Sequence, residues 1–271
     1  MSAARSKATL LGTALLAAPL SAQAWIDDDP ATDWTALTLH RNEWRLGLFR
    51  FQYGIVDSLQ VGTQTLPWVL KISNLDLKWT VWSSGPWSVG LSGGIFSLKL
   101  QDYDADAADV RFYAAPLELT ASWRGDGLGV HLRGSYTAVK TDTDEALDEE
   151  DYDIGGVAAV STGTLGLAGE WYVSRTFSWV LETRLSVFQD ASANASTTTQ
   201  IDPRTSIEFN ADAEADLTDG RQANALLSAF WSWNSFNLKL GLGYGHYSVP
   251  TLNLFVGDPI WFPDFDLFWR F

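Results

Sequence analysis

The sequence predicts an all-β chain: an antiparallel transmembrane β-barrel of about twelve strands, with ten as the alternative count. Three observations predict it. Apolar and polar residues alternate with period two over segments of ten or more residues, short turns alternate with long polar links, and aromatic residues gather beside the short turns. Alternation of that length gives strands with one apolar and one polar face. Strands of soluble sandwiches average about five to six residues, so the length favours a barrel that crosses a membrane.

At the start of the chain, Arg5 and Lys7 precede an apolar stretch from Ala8 to Leu20, and Ala22-Gln23-Ala24 puts small residues around a cut. Residues 1–24 therefore read as a secretory signal peptide and 25–271 as the barrel. The apolar stretch is too short to span a bilayer as a helix, and nothing after Trp25 supplies the ~20 consecutive apolar residues that a helix needs. Without the signal peptide the chain keeps 18 − 2 = 16 basic residues against 33 acidic ones, a net charge of −17. That balance argues against nucleic acid as a partner, since phosphates require a basic footprint. The absence of Cys excludes disulfides, thiolate metal sites, cysteine nucleophiles and an acylated cysteine anchor.

The strands are expected in order. A first lies near Asp33–His40, a second over Glu43–Gln52, and a short turn at Tyr53–Asp57 leads to a third carrying Leu59, Val61, Thr63 and Thr65. The ten-strand alternative treats 54–72 as loop throughout. After a loop at Leu66–Ser73, the row Leu75, Leu77, Trp79 and Val81 alternates with Asp76, Lys78 and Thr80. Leu117 and Leu119 flank Glu118, Leu132 separates His131 from Arg133, and Leu181 and Leu185 share a face opposite Glu182 and Arg184. Leu238, Leu240 and Leu242 alternate with Lys239 and Gly241. Short turns fall at Ser83–Pro86, Gly125–Gly127, Ser174–Thr176 and Asn234-Ser235, each beside Trp, Tyr or Phe. Long links are expected at Asp102–Asp109, Thr141–Asp153, Asp190–Gly220 and Val249–Phe262. Amphipathic rings at one end of each hairpin are what a membrane–water interface collects.

The final segment alternates Phe265, Leu267, Trp269 and Phe271 with Asp266, Phe268 and Arg270. This resembles the C-terminal strand of Gram-negative bacterial outer-membrane β-barrel proteins, the porin-like class, where a terminal aromatic and alternating apolar residues are an assembly signal. The resemblance covers 25–271 and implies a location in the bacterial cell outer membrane. It implies as partners the barrel-assembly machinery, outer-membrane lipids and lipopolysaccharide. It identifies no narrower family.

On this facing the lumen receives Asp76, Lys78, Glu118, Arg124, His131, Arg133, Glu170, Glu182, Arg184 and Lys239. These charges either pair across a narrow lumen and fill it, or line a water-filled path for small ions and solutes. On the same facing, Lys239→Ala is expected to be far milder than an outward Leu240→Arg. Between Thr141 and Asp153 lie eight carboxylates, which read as a solvated loop or as a loose divalent-cation bridge to lipopolysaccharide. Asp102, Asp104 and Asp106 imitate an EF-hand opening, but Ala107 and Tyr113 stand where its Gly and Glu belong.

One pattern carries chemistry. His246 and Ser248 lie two apart on a strand, and the register of Phe236–Tyr244 puts both on the lipid side. Outer-membrane phospholipases and lipid A deacylases use a similar outward His-x-Ser pair, with Ser as nucleophile and His as base. Here Val249 and Pro250 follow where those families have Asn, and no acid on the final strand orients the His. The leading expectation is therefore a non-enzymatic barrel, either a narrow pore or a structural protein. An outer-leaflet lipid hydrolase using His246 and Ser248 is the alternative. No phosphate loop, metal-spaced His cluster or dinucleotide turn appears, and no cofactor is expected.

Overall fold

The computed structural model describes residues 33–100, 109–146, 152–202, 205–216, 222–233, 235–249 and 253–271. The proposed signal peptide, the Asp102–Asp106 stretch and residues 148–151 of the acidic cluster lie outside these residues. Three short strands come first: β1 (Trp44–Gly47), β2 (Arg50–Val56) and β3 (Leu59–Gln64). A five-residue helix, α1 (Thr65–Val69), follows. The strands then lengthen from 12 to 26 residues: β4 (Ser73–Ser84), β5 (Trp87–Leu100), β6 (Asp109–Arg124), β7 (Leu128–Ala146), β8 (Tyr152–Ser174) and β9 (Phe177–Asp202). Four more complete the chain: β10 (Thr205–Asp216), β11 (Ala223–Trp233), β12 (Phe236–Val249) and β13 (Leu254–Arg270).

Neighbours are antiparallel throughout, and β13 returns to β1 through Arg45↔Arg270, Leu46↔Trp269 and Gly47↔Phe268. β10 pairs with the outer part of β9 down to Asp216↔Asp190, and β11 resumes at Ala223↔Leu185. The two segments fill one place in the ring. The barrel therefore closes with twelve strands.

The count agrees with the sequence reading, but its first members do not. Asp33–His40 is not a strand. Its backbone is satisfied by lumen side chains: Ala36 N–H donates to Ser122 Oγ (2.8 Å) and Leu39 N–H to Gln60 Oε1 (2.8 Å). The expected strand Glu43–Gln52 is broken at Leu48-Phe49 into β1 and β2. Thr65 holds that turn, its N–H donating to Phe49 O at 3.1 Å and its hydroxyl to Leu48 O. Three expected loops are also largely strand, Val249–Phe262 among them, since β13 already begins at Leu254. Thr141–Ala146 continues β7, and Asp190–Gly220 contains the outer half of β9 together with β10.

Burial is inverted relative to a water-soluble protein. Leu75, Leu117, Leu132, Leu167 and Leu242 are exposed at about half their surface, whereas Ser122, His131, Glu170 and Ser228 are buried. In lipid the apolar face must point outward. Aromatic rings mark the limits of this band. Phe177 packs on Trp231 (5.2 Å), Trp233 on Phe236 (5.6 Å) and Phe236 on Trp269 (5.4 Å) at the short-turn end. Tyr244 packs on Trp261 (5.0 Å) further up the same strands. From Phe236 to Tyr244 is ~26 Å along β12, which at a barrel strand's ~35–45° tilt is ~20 Å of height, most of an apolar belt ~25 Å tall.

Candidate functional site

The lumen gathers buried polar and charged side chains, and two of the chain's own segments occupy it. The first is residues 33–43, which carry the buried Trp34, Thr35, Ala36 and Leu39. The Trp34 ring lies between two guanidinium groups, with Arg133 and Arg184 each 4.7 Å from its centroid. Cations favour such a ring face, the more so when water is excluded. Arg133 also donates to Asp33 O (2.9 Å), and the Asp33 carboxylate pairs with Arg45 and, at 3.7 Å, with Arg50. Thr38 donates to Asp57 O (2.7 Å) and Thr80 to Ala36 O (2.9 Å).

Three wall glycines make room for this segment. A Cβ on Gly54 would lie 1.9 Å from His40 O, one on Gly90 2.6 Å from Ala36 O, and one on Gly166 2.3 Å from the Trp34 ring. Any side chain at these positions displaces the segment or the wall. Over 33–41 the strap is thus seated by side-chain bonds and by missing Cβ atoms, while its end is tied to the wall by backbone bonds from Asn42 N–H to Gly54 O (2.8 Å) and from Gly54 N–H to Glu43 O (2.9 Å).

The second segment is the β12–β13 tip, which comes from the long-loop end. Asn253, buried and at φ 52°, donates to Glu118 Oε1 (3.4 Å), and Gln189 Nε2 donates to Phe255 O (3.5 Å). The tip leans inward because a wide bulge sits at its base. Gly245 opposes Ile260, whereas Tyr247 opposes Val256, and the extra residues on β13 include Gly257 at φ 67°.

That bulge also resets the two residues of the hydrolase pattern. Beyond Gly245 (φ 125°) the side-chain alternation of Phe236–Tyr244 no longer holds. Ser248 is buried opposite the buried Phe255, rather than facing lipid, and its Oγ has no hydrogen-bond partner among the described residues. His246 places Nδ1 3.4 Å from the backbone N and O of Ala223. No hydrogen bond joins His246 to Ser248 among the described residues.

The ten lumen charges expected from sequence fall into separate groups. Glu118 pairs with Arg133 (3.3 Å) and accepts from Ser92 (3.2 Å). Glu182 pairs with Lys239 (2.9 Å), which also meets Asp264 (2.8 Å). Glu170 accepts from the Tyr172 hydroxyl, to which Arg124 donates at 3.3 Å. His131 Nδ1 lies 2.8 Å from Ser122 Oγ, with Nε2 3.7 Å from Glu170. Arg184 lies against Trp34, Lys78 faces Gln60 and Ser92 across the ladder, and the Asp76 carboxylate leans over Gly62. Sequence reasoning missed Asp33, Arg45, Arg50 and Asp264. A continuous strand puts Arg45 and Arg50 on opposite faces; the turn at Leu48-Phe49 lets both point inward. Arg45 then meets Asp266 at 2.7 Å and covers the Phe268 ring at 3.7 Å. No group of His, Asp and Glu suited to hold a metal occurs among the described residues.

No family model matches the sequence, and no curated protein matches it. Among solved structures the chain is similar to the ferric yersiniabactin uptake receptor FyuA of Yersinia pestis, at 14% identity and a TM-score of 0.40. That match covers 80% of this chain, which spans about a third (33%) of the receptor's length. It is also similar to the CymD monoaromatic hydrocarbon channel (11% identity, TM-score 0.37, 86% of this chain and 67% of that one). A third is the translocator domain of the autotransporter NalP of Neisseria meningitidis (11% identity, TM-score 0.33, 84% and 86%). The chain's own architecture carries the assignment: closed ring, apolar exterior, polar lumen and aromatic belts make it a bacterial outer-membrane β-barrel.

Proposed function

We propose that the protein is a narrow, non-enzymatic outer-membrane pore for small ions and solutes, and that residues 33–43 are its plug. The seating of that segment carries the reading. Residues 33–41 are held by individual side-chain bonds and fitted against Gly54, Gly90 and Gly166, so they can leave while Asn42 and Glu43 keep their two backbone bonds to Gly54 as the tether. A barrel with a purely structural role gains nothing from charged walls around a removable strap. The outward row Phe265, Leu267, Trp269 and Phe271 serves as the surface read by the assembly machinery, and lipopolysaccharide surrounds the long strands β7–β9.

Planar-bilayer recording tests this. The wild-type protein is expected to open rarely, and Gly90→Val, which forces the Ala36 carbonyl away, to raise the open probability. Heat-modifiable migration on gels checks that the variant still forms a barrel. If neither protein conducts, the structural reading replaces the pore. Fatty-acid release that Ser248→Ala abolishes would instead establish the hydrolase.

A further inference from the structure

One side of the barrel is too low for the membrane. β1, β2 and β3 have four, seven and six residues, where a strand needs ~9–11 to cross a bilayer. On β13, Leu267 O accepts from Leu48 N–H, whereas Arg270 N–H donates to Ser235 O. Odd-numbered residues of β13 therefore turn their backbone groups toward β1, and even-numbered ones toward β12. β1 follows β13 only as far as Phe268, with one further bond from Leu48. Above that, Phe265 and Trp261 present backbone groups to a neighbour that is not there among the described residues. Between them Pro263 has no N–H to present. Trp261 pairs with Tyr244 in the upper aromatic belt, so this free edge lies within the apolar band.

The rim of the gap is apolar. Leu48 and Phe49 crown the β1–β2 turn, and Leu66, Trp68, Val69 and Leu70 lie in and just after α1, Val69 at 79% exposure. Phe49 meets Phe265 edge-on at 6.4 Å and Trp68 meets Phe51 at 6.3 Å, which ties the rim to both sides of the wall. Just behind it, on the inner face of β4, Asp76 Oδ2 is buried without a hydrogen-bond partner. Its ladder partners are Gly62 and Gly94, and the carboxylate leans into the place a Gly62 Cβ would take, 2.6 Å from Oδ1.

We propose that this gap is a side entrance through which a single-chain amphiphile with a hydrogen-bond-donating head, such as a long-chain alcohol, enters the upper lumen from the outer leaflet. Irregular or unpaired backbone at membrane depth is tolerated only where it lines a cavity or is covered. The rim suits an alkyl chain, and the Asp76 Oδ2, an acceptor without a hydrogen-bond partner, suits a donor head. A second copy of the chain or a peptide adding a strand is disfavoured, because edge pairing needs donors and Pro263 and Pro259 interrupt them. The entrance does not depend on whether the lumen conducts ions.

Photolabelling of the full barrel in phospholipid vesicles with a diazirine-bearing long-chain alcohol tests the proposal. Peptide mapping is expected to find adducts on inward Asp76 that unlabelled alcohol competes away. Phe49→Asp should lower that labelling about tenfold, the factor corresponding to ~1.4 kcal/mol at the rim, while leaving outward adducts at Leu240 unchanged. Trp68→Asp carries the same test from outside the strand ladder, should Phe49→Asp fail to assemble. Adducts confined to outward side chains, or Asp76 labelling that neither the rim variants nor competitor moves, overturn the entrance. So does a cross-linked dimer that protects Phe265 and Trp261, which would assign the edge to a second copy. None of these readouts measures conductance, so the pore can fail while the entrance stands, and the reverse.

Discussion

Lys239 sits 2.9 Å from Glu182 and 2.8 Å from Asp264 with only 14% of its side chain exposed. Its consequence differs from what its inward position alone suggests. From sequence, Lys239→Ala is expected to be much milder than an outward Leu240→Arg, which costs ~2–4 kcal/mol near mid-bilayer. In the structure, Lys239→Ala leaves the Glu182 and Asp264 carboxylates without the cation between them, and breaking a buried ion pair costs ~3–5 kcal/mol. The two substitutions are therefore expected to destabilise comparably in urea unfolding of the vesicle-bound barrel. Replacing the trio together (Lys239→Met, Glu182→Gln, Asp264→Asn) should regain most of the loss, because no charge is then left unpaired. A mild Lys239→Ala would show that water reaches the pair. Period two marks each of these residues as inward. It cannot tell which strand's charge lies beside which, because that depends on the stagger between distant strands.

β1 closes the ring with four residues, and its even positions bond to β13: Trp44 exchanges both backbone bonds with Phe271, and Leu48 donates to Leu267. Leu46, between them, completes that edge opposite Trp269. Leu46→Pro removes its donor and is expected to abolish the compact, heat-modifiable form, whereas Leu46→Ala keeps it; equal folding of both would mean that closure does not need β1. The long strands were legible in sequence because lipid on one side and lumen on the other enforce strict alternation for a dozen residues. The short wall was not. Leu48-Phe49 turns without Gly, Pro or Asn at its two central positions, Gly47 alone preceding them, and Trp34 and Ala36 alternate with Asp33 and Thr35, as Leu37 and Leu39 do with Thr38 and His40, much as a strand does. The plug betrays itself only through Gly54, Gly90 and Gly166, which become informative once the segment lies against them. The same limit applies to His246 and Ser248, whose facing is changed by a bulge that Gly245 permits but does not announce.

Across the whole molecule, charge is divided unevenly between wall and mouth. The lumen sets Glu118, Glu182, Asp264 and Asp266 against Arg45, Arg133, Arg184 and Lys239, so the wall prefers neither sign strongly. The excess of acid lies elsewhere, and the run from Asp142 to Asp153, at the far end of β7 and the start of β8, holds eight carboxylates. A negative mouth above a balanced wall raises the local concentration of cations and leaves their passage unhindered. Once the plug is displaced by Gly90→Val, the pore is therefore expected to prefer cations, measured as a reversal potential across a salt gradient. Neutralising the carboxylates of 142–153 should reduce both that preference and the conductance at low salt. The effect should fade near 1 M salt, where the screening length falls to ~3 Å. A preference that persists at high salt would place the selecting charges inside the lumen, beside the ion, and an anion-selective pore would contradict the division of charge altogether.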